Sequence, residues 1–184
     1  MTRNMLVAEA AFIIEPLVPH AELWITYTPR RDEALRIRAD EKLREALPIV
    51  AKFMDPDALN GYVAFDKRHA PRVPAGDKNL VQYIPVHGGI TYAAKDHFAA
   101  VWGFDTMHYL SENQPRTDPD WIRANCHVLY RGLLLCEMRW KEFRRAKRER
   151  KMEIVQEILD LVPEQSIKDM GTMALLNTLM GKIG

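Results

Sequence analysis

Three histidines, two aspartates and three glycines fall between Val86 and His108, and His87, Asp105, His108 and the glycines stand in its two motifs. The stretch reads Val86-His87-Gly88-Gly89-Ile90-Thr91-Tyr92 and, after a spacer, Trp102-Gly103-Phe104-Asp105-Thr106-Met107-His108. An imidazole and a carboxylate can divide proton-transfer work, with His87 or His108 as general base and Asp105 as the group that orients it. His87 precedes two glycines, so the backbone there can approach a ligand closely and present amide donors, as anion-binding turns do. The alternative for the same residues is a tight turn with a structural imidazole. Gly88, Gly89, Thr91 and Tyr92 make up the candidate ligand-binding turn, with Tyr92 the ring best placed for stacking. Trp102 and Phe104 read as core.

Asp105 and His108 stand three residues apart and share a face only in a helix or turn. With His87 they would form a two-histidine, one-carboxylate set with open positions for a divalent metal. No tight ligand spacing supports that set, so Asp105 reads first as a turn cap or as the partner that orients His108. The sequence names no metal and no cofactor. His69 is a weaker ligand candidate, because Lys67-Arg68 and Pro71 beside it suggest a solvated loop.

Short strands must carry this stretch. Met5 to Ile14 is apolar and compact, either a buried strand or a short helix, with Pro16 and Pro19 expected to end it. Leu23 to Tyr27 is rich in β-formers and stops before Pro29. Leu35, Ala39, Leu43, Ala46 and Leu47 line one face of a predicted helix that begins at Asp32 and is kinked or ended by Pro48. Gly61–Phe65, Val81–Val86 and Phe98–Phe104 are strand candidates. The chain between them is too short for parallel crossovers, which implies an antiparallel sheet.

The plainest helix signal follows. Asp118 can cap, Pro119 suits the first helical position and Asp120 favours the positive end of the dipole. Ile122, Cys126, Leu129, Leu133, Cys136, Trp140 and Phe143 then recur at spacings of four and three, the apolar seam of a long helix. Ten residues of helix separate the two cysteines by about 15 Å, too far for a disulfide. A helix to Val162, ended by Pro163, and a last amphipathic helix over Ser166–Leu179 complete the pattern. The expected fold is α+β: a small, mostly antiparallel sheet packed against a long helix, with a helical C-terminal region. A chain of 184 residues fits one domain, in which the helical segment from about 144 to 184 is either packed on the sheet or a dimerisation or docking extension.

Composition sets further bounds. With 47% hydrophobic and 28% charged residues and a formal net charge of +1, the chain is an ordinary globular one and not, as a whole, built to neutralise polyanions. Its basic residues cluster between Arg139 and Lys151. Arg144, Arg145 and Arg148 there are candidates for nucleic acid or an acidic protein partner, against the plainer reading of a solvated helix face. Two cysteines make no disulfide framework, the N-terminal run is a poor secretory signal and no segment reads as a membrane span, so a cytoplasmic location is expected.

From Gly61 to roughly Leu135 the chain resembles a widespread family of uncharacterised phage and prophage proteins. Their pattern runs Gly-Tyr-Val-Gly-Val-Pro, a nearby His-Pro, Asp-Val-His-Gly-Gly-Leu-Thr-Tyr, Trp-x-Gly-Phe-Asp-Cys-Ala-His-x-Gly-Asp and then a helix. It is matched by Gly61-Tyr62-Val63, His69, Val86 to Tyr92, and Trp102-Gly103-Phe104-Asp105 with His108. Pro85 replaces an Asp of that pattern, Thr106-Met107 a Cys-Ala, and Tyr109-Leu110 the Gly-Asp, so two acids beside the histidines are missing. The resemblance implies a phage-type protein and brings no activity with it. The expectation is a binding turn before an active centre. The pocket would take a small polar ligand, phosphorylated or nucleotide-like, and in a phage would sequester or degrade a host defence signal. The competing expectation is a non-enzymatic protein, self-associating or not, that binds host protein or nucleic acid through its basic helical C-terminal region.

Overall fold

The computed structural model describes residues 5–48, 54–73, 80–95, 99–107 and 114–160. His108 and the helix expected over Ser166–Leu179 lie outside the described residues, as do Tyr109 and Leu110. The chain opens with a one-turn-and-a-half helix α1 (Met5–Ala10) that passes directly into strand β1 (Ala11–Val18), followed by β2 (Ala21–Tyr27), helices α2 (Arg31–Ala39) and α3 (Glu41–Ala46), and β3 (Leu59–Asp66). A 3-10 turn (Leu80–Tyr83), β4 (Tyr92–Lys95), β5 (Ala99–Phe104) and helices α4 (Pro119–Arg145) and α5 (Arg148–Leu159) complete it. The five strands form one antiparallel sheet in the order β1-β2-β3-β5-β4. The fold is thus α+β, an antiparallel sheet against a long helix.

Alternation along the strands divides the sheet into two faces. Leu23, Ile25, Val63, Phe65, Trp102 and Phe104 point to one face and are packed with the α4 seam of Ile122, Cys126, Leu129, Leu133 and Cys136. Each of those five seam residues is completely buried, and each large one contributes about 1.5–3 kcal/mol of transfer free energy. Trp24, Tyr62, Ala64 and Val101 point to the opposite face, where Val7 and Ala8 of α1 cover part of it. Helix α4 starts as its residues dictate: the Asp118 side chain accepts the N–H of Asp120 at 2.9 Å, and Pro119 follows in the first turn. Arg123 in its second turn reaches back to Glu15 of β1 at 2.7 Å, tying the helix to the edge strand.

Four expectations are corrected. Met5–Ile14 is neither strand nor helix alone; it changes from α1 to β1 at Ala11. Pro16 does not end that element but sits inside β1, opposite Glu22; β1 is an edge strand, where a missing N–H need cost no ladder bond. The helix from Asp32 breaks at Asp40, whose N–H closes α2 on the Arg36 carbonyl while its Oδ1 accepts the Leu43 N–H at 3.1 Å to start α3. The face that α2 buries is Ala34 and Ile37, with Leu35 left exposed. Val81–Val86 is not a strand: Val81 and Ile84, three apart, turn together onto α4, and the Ile84 N–H bonds the Val81 carbonyl at 3.1 Å. No helix among the described residues is long and apolar enough to cross a membrane.

Candidate functional site

Where β2 ends, β3 begins and β5 ends, the face turned away from α4 opens into a cavity of about 620 Å³. Its lining includes Thr28 and Arg30 after β2, Asn60 and Tyr62 of β3, Thr91 and Tyr92 entering β4, and Asp105 and Met107 after β5. The strand register explains why these meet. Thr26 pairs with Asn60, Tyr62 with Gly103 and Gly103 with Tyr92, so Asn60 and Tyr62, two apart on β3, both face the cavity and the two tyrosines flank a glycine. Their rings meet edge to face with centroids 5.5 Å apart. Burial raises the Tyr62 phenol above its ordinary value, against the opposing pull of the Asn60 and Thr26 side chains beside its hydroxyl. Tyr62 therefore stays a neutral phenol.

Two polar atoms on this wall stand out. Thr28 is 3% and Asn60 1% exposed, yet the Thr28 hydroxyl and the Asn60 Oδ1 have no hydrogen-bond partner. A buried oxygen without a partner forgoes its hydration, at a cost of about 1–3 kcal/mol each, so native proteins keep few of them outside working sites. Asp105 is held as a turn-capping carboxylate: its Oδ1 accepts the Met107 N–H at 3.0 Å, and its own N–H bonds the Thr91 Oγ1 at 3.1 Å. Thr91, Tyr92 and Asp105, singled out from sequence, come together here.

No family model, curated protein or solved structure matches the chain. The residues themselves carry the rest.

His87, Gly88 and Gly89 are built into a different part of the molecule and do not line the cavity. Gly88 and Gly89 have φ of 67° and 80°, left-handed backbone that favours glycine, and they turn the chain between the 3-10 turn and β4. His87 is 5% exposed. Its N–H bonds the Asn125 Oδ1 at 3.2 Å, and its ring meets Trp121 at 5.1 Å, edge to face, both partners on α4. These contacts hold the imidazole against α4 in a tight turn. His69 lies in the turn after β3, its ring stacked on His20 with centroids 3.6 Å apart and its Nδ1 3.9 Å from Asp66. Arg68 N–H, His69 and neighbouring charge hold that aspartate below its ordinary range. Among the described residues no three His, Cys, Asp or Glu side chains form a group able to hold a metal.

The basic run divides. Arg139 pairs with Glu142 at 2.8 Å and with Glu157 at 3.0 Å, and Arg150 with Glu142 at 2.7 Å and Glu153 at 2.6 Å, so these two clamp α5 onto α4. Glu142 between them is held below the usual carboxylate range, chiefly by the Arg150 and Arg139 hydrogen bonds. Arg145, Lys147 and Arg148 at the junction are exposed, as is Arg144, whose guanidinium lies 5.7 Å from the Trp140 ring. Among the described residues none of these four has an acidic partner.

The sequence reasoning missed Thr28, Arg30, Asn60 and Tyr62 as site residues. A usable signal was present: Thr26 on one strand with Thr28 just beyond its end, and Asn60 and Tyr62 on another, place polar groups at a period of two, where a buried sheet face is otherwise apolar.

Proposed function

We propose that this protein binds a small polar, nucleotide-like ligand in the cavity bounded by Thr28, Asn60, Tyr62, Tyr92 and Asp105. The observation that carries this is a cavity of about 620 Å³ whose wall joins the Tyr62 and Tyr92 rings to Thr28, Asn60, Thr91 and Asp105, within the range of small-molecule sites. A ring can lie against Tyr62 or Tyr92 while its polar edge meets the polar side chains of that wall. His87 packs against α4 and does not line this cavity, so the reading is one of binding before catalysis. In the phage setting that the resemblance implies, such a pocket would hold back or break down a host defence signal. Calorimetric titration with a panel of nucleosides and nucleotides tests it. Saturable binding that is lost in Tyr62→Ala and Tyr92→Ala supports the reading, and a panel without heat or thermal stabilisation sinks it.

A second reading rests on Arg144, Arg145, Lys147 and Arg148, exposed and unpaired by acids among the described residues. As a cluster at the α4–α5 junction they suit phosphates of a nucleic acid. Binding of single- and double-stranded oligonucleotides that weakens steeply with salt, and that disappears when Arg144, Arg145 and Arg148 are neutralised, would favour it over the pocket.

A further inference from the structure

A second cavity, of about 400 Å³, opens where α2 and α3 face the turn before β3 and the approach to α4. Met54 lines both this cavity and the larger one, so the two adjoin across one side chain. Helix α2 runs beside both. Arg30 at its cap borders the larger cavity, and Arg38 in its last turn, about 12 Å further along, borders the second. Between them Ala34 and Ile37 are buried and give the second cavity an apolar wall.

Three arginines meet two aspartates on the described lining of this second cavity. Arg116 donates its Nε–H to Asp55 Oδ2 at 3.2 Å, and the other oxygen of Asp55 accepts the Asp57 N–H at 3.0 Å. Arg38 donates to Asp57 at 3.2 Å. Each carboxylate is thus matched by one N–H of a guanidinium that carries five. Arg44 has no acidic partner among the described residues, and neither has Arg30 at the border of the larger cavity. The second cavity is left with a positive surplus and with unused donors. A guanidinium edge matches a pair of phosphate oxygens.

We infer that the second cavity is a phosphate subsite of the first: the ligand's ring lies against the tyrosines, and its phosphate chain passes Met54 to meet Arg44 and Arg38. This rests on the reading of the larger cavity as a nucleotide-like ligand site and places the anionic end of that ligand.

Titration calorimetry at constant ionic strength tests it, with adenosine, guanosine, cytidine and uridine and with the 5′-mono- and diphosphates of each. For a base that binds, the diphosphate should exceed the nucleoside in affinity by at least about tenfold, the worth of one charge-assisted hydrogen bond. Arg44→Ala removes an exposed side chain that has no acidic partner to strand, and it should bring that ratio to within about twofold of unity. Arg44→Lys, which keeps the charge and loses the fork, should retain part of the ratio. Lys141→Ala, the loss of an exposed cation on α4, should leave it unchanged. A wild-type ratio near unity overturns the subsite and leaves the ligand site standing. A ratio that survives Arg44→Ala, or that falls equally in Lys141→Ala, makes the gain a general attraction to cationic surface and overturns the subsite as well. Silence from every nucleoside and nucleotide with the folded wild-type chain overturns the ligand site and this inference together.

Discussion

Gly103 of β5 lies directly opposite Tyr62 of β3, and the tyrosine ring occupies the space that a side chain at 103 would need. A Cβ there would collide with the ring carbons Cδ1 and Cε1. The relation is reciprocal on the other face: Gly61 lies opposite Phe104, and a Cβ at 61 would meet that ring and come within 2.8 Å of the Cys126 Sγ. The two Gly-aromatic pairs, Gly61-Tyr62 and Gly103-Phe104, therefore interlock across neighbouring strands. One aromatic goes to the cavity and one to the core.

Gly103→Ala should consequently push Tyr62 out of its place. Overpacking of this kind costs about 1–3 kcal/mol, read as a lowered midpoint in urea, and nucleoside binding should fall with it. The double variant Gly103→Ala, Tyr62→Ala should recover part of the stability and none of the binding. If Gly103→Ala bound the nucleoside panel as wild type does, the ring position would not matter to the site.

Thr28→Val should behave in the opposite sense. The hydroxyl has no partner to lose, so the folded chain should keep its stability to within about 0.5 kcal/mol or gain slightly. The extra melting temperature conferred by ligand should shrink. A site residue whose removal leaves the fold intact and the response reduced is the pattern expected where stability has been given up for function.

Asn125 and His87 form the contrast. Asn125 accepts the His87 N–H and donates to the Trp121 carbonyl, so Asn125→Ala leaves a buried amide unpaired and should cost about 1–3 kcal/mol. His87→Ala should lower stability through the lost contact with Trp121. Neither residue lines the cavity, so both variants should retain nucleoside affinity when measured below their unfolding transitions. Loss of affinity in a folded His87→Ala protein would return the histidine to the site.

The parts legible in the sequence are those set by local chemistry. The cap and seam of α4 follow from Asp118, Pro119 and the recurrence of apolar residues, and the antiparallel sheet from strands too closely spaced for crossovers. The break at Asp40 was hidden because a helical pattern continues through it; only the side chain's bond to Leu43 reveals two helices. Val81–Val86 was hidden because an apolar run does not distinguish a strand from a 3-10 turn. For the site, His87 and Asp105 are close in the chain but separate in space, because the turn at Gly88 and Gly89 sends the imidazole to α4 while β5 delivers Asp105 to the other face. Thr28 and Asn60 could be joined only by the register of β2 with β3, a long-range fact that no single segment contains.

The clamp between α4 and α5 should respond to acid. Arg150 and Arg139 lower the Glu142 carboxyl in the folded chain, so its stabilisation is fully present above the unfolded value of about 4.3 and is lost as pH falls through the lower folded value. Wild type should therefore be more stable than Glu142→Gln by a constant margin from pH 7 down to about pH 5, and the two should converge on further acidification. Denaturation curves of both proteins across that range check this. A margin that does not narrow below pH 4 would count against the clamp.

Cys126 and Cys136 lie in the α4 seam with no exposed surface, their thiols pushed up by burial, Cys136 to about 12. A thiol held so far from ionising is a poor nucleophile, and no oxidant or alkylating agent reaches it while α4 stays on the sheet. The pair is therefore a built-in clock. Any modification they acquire dates from a moment when the helix had lifted away, so the history of the core's opening is written in its two sulfurs.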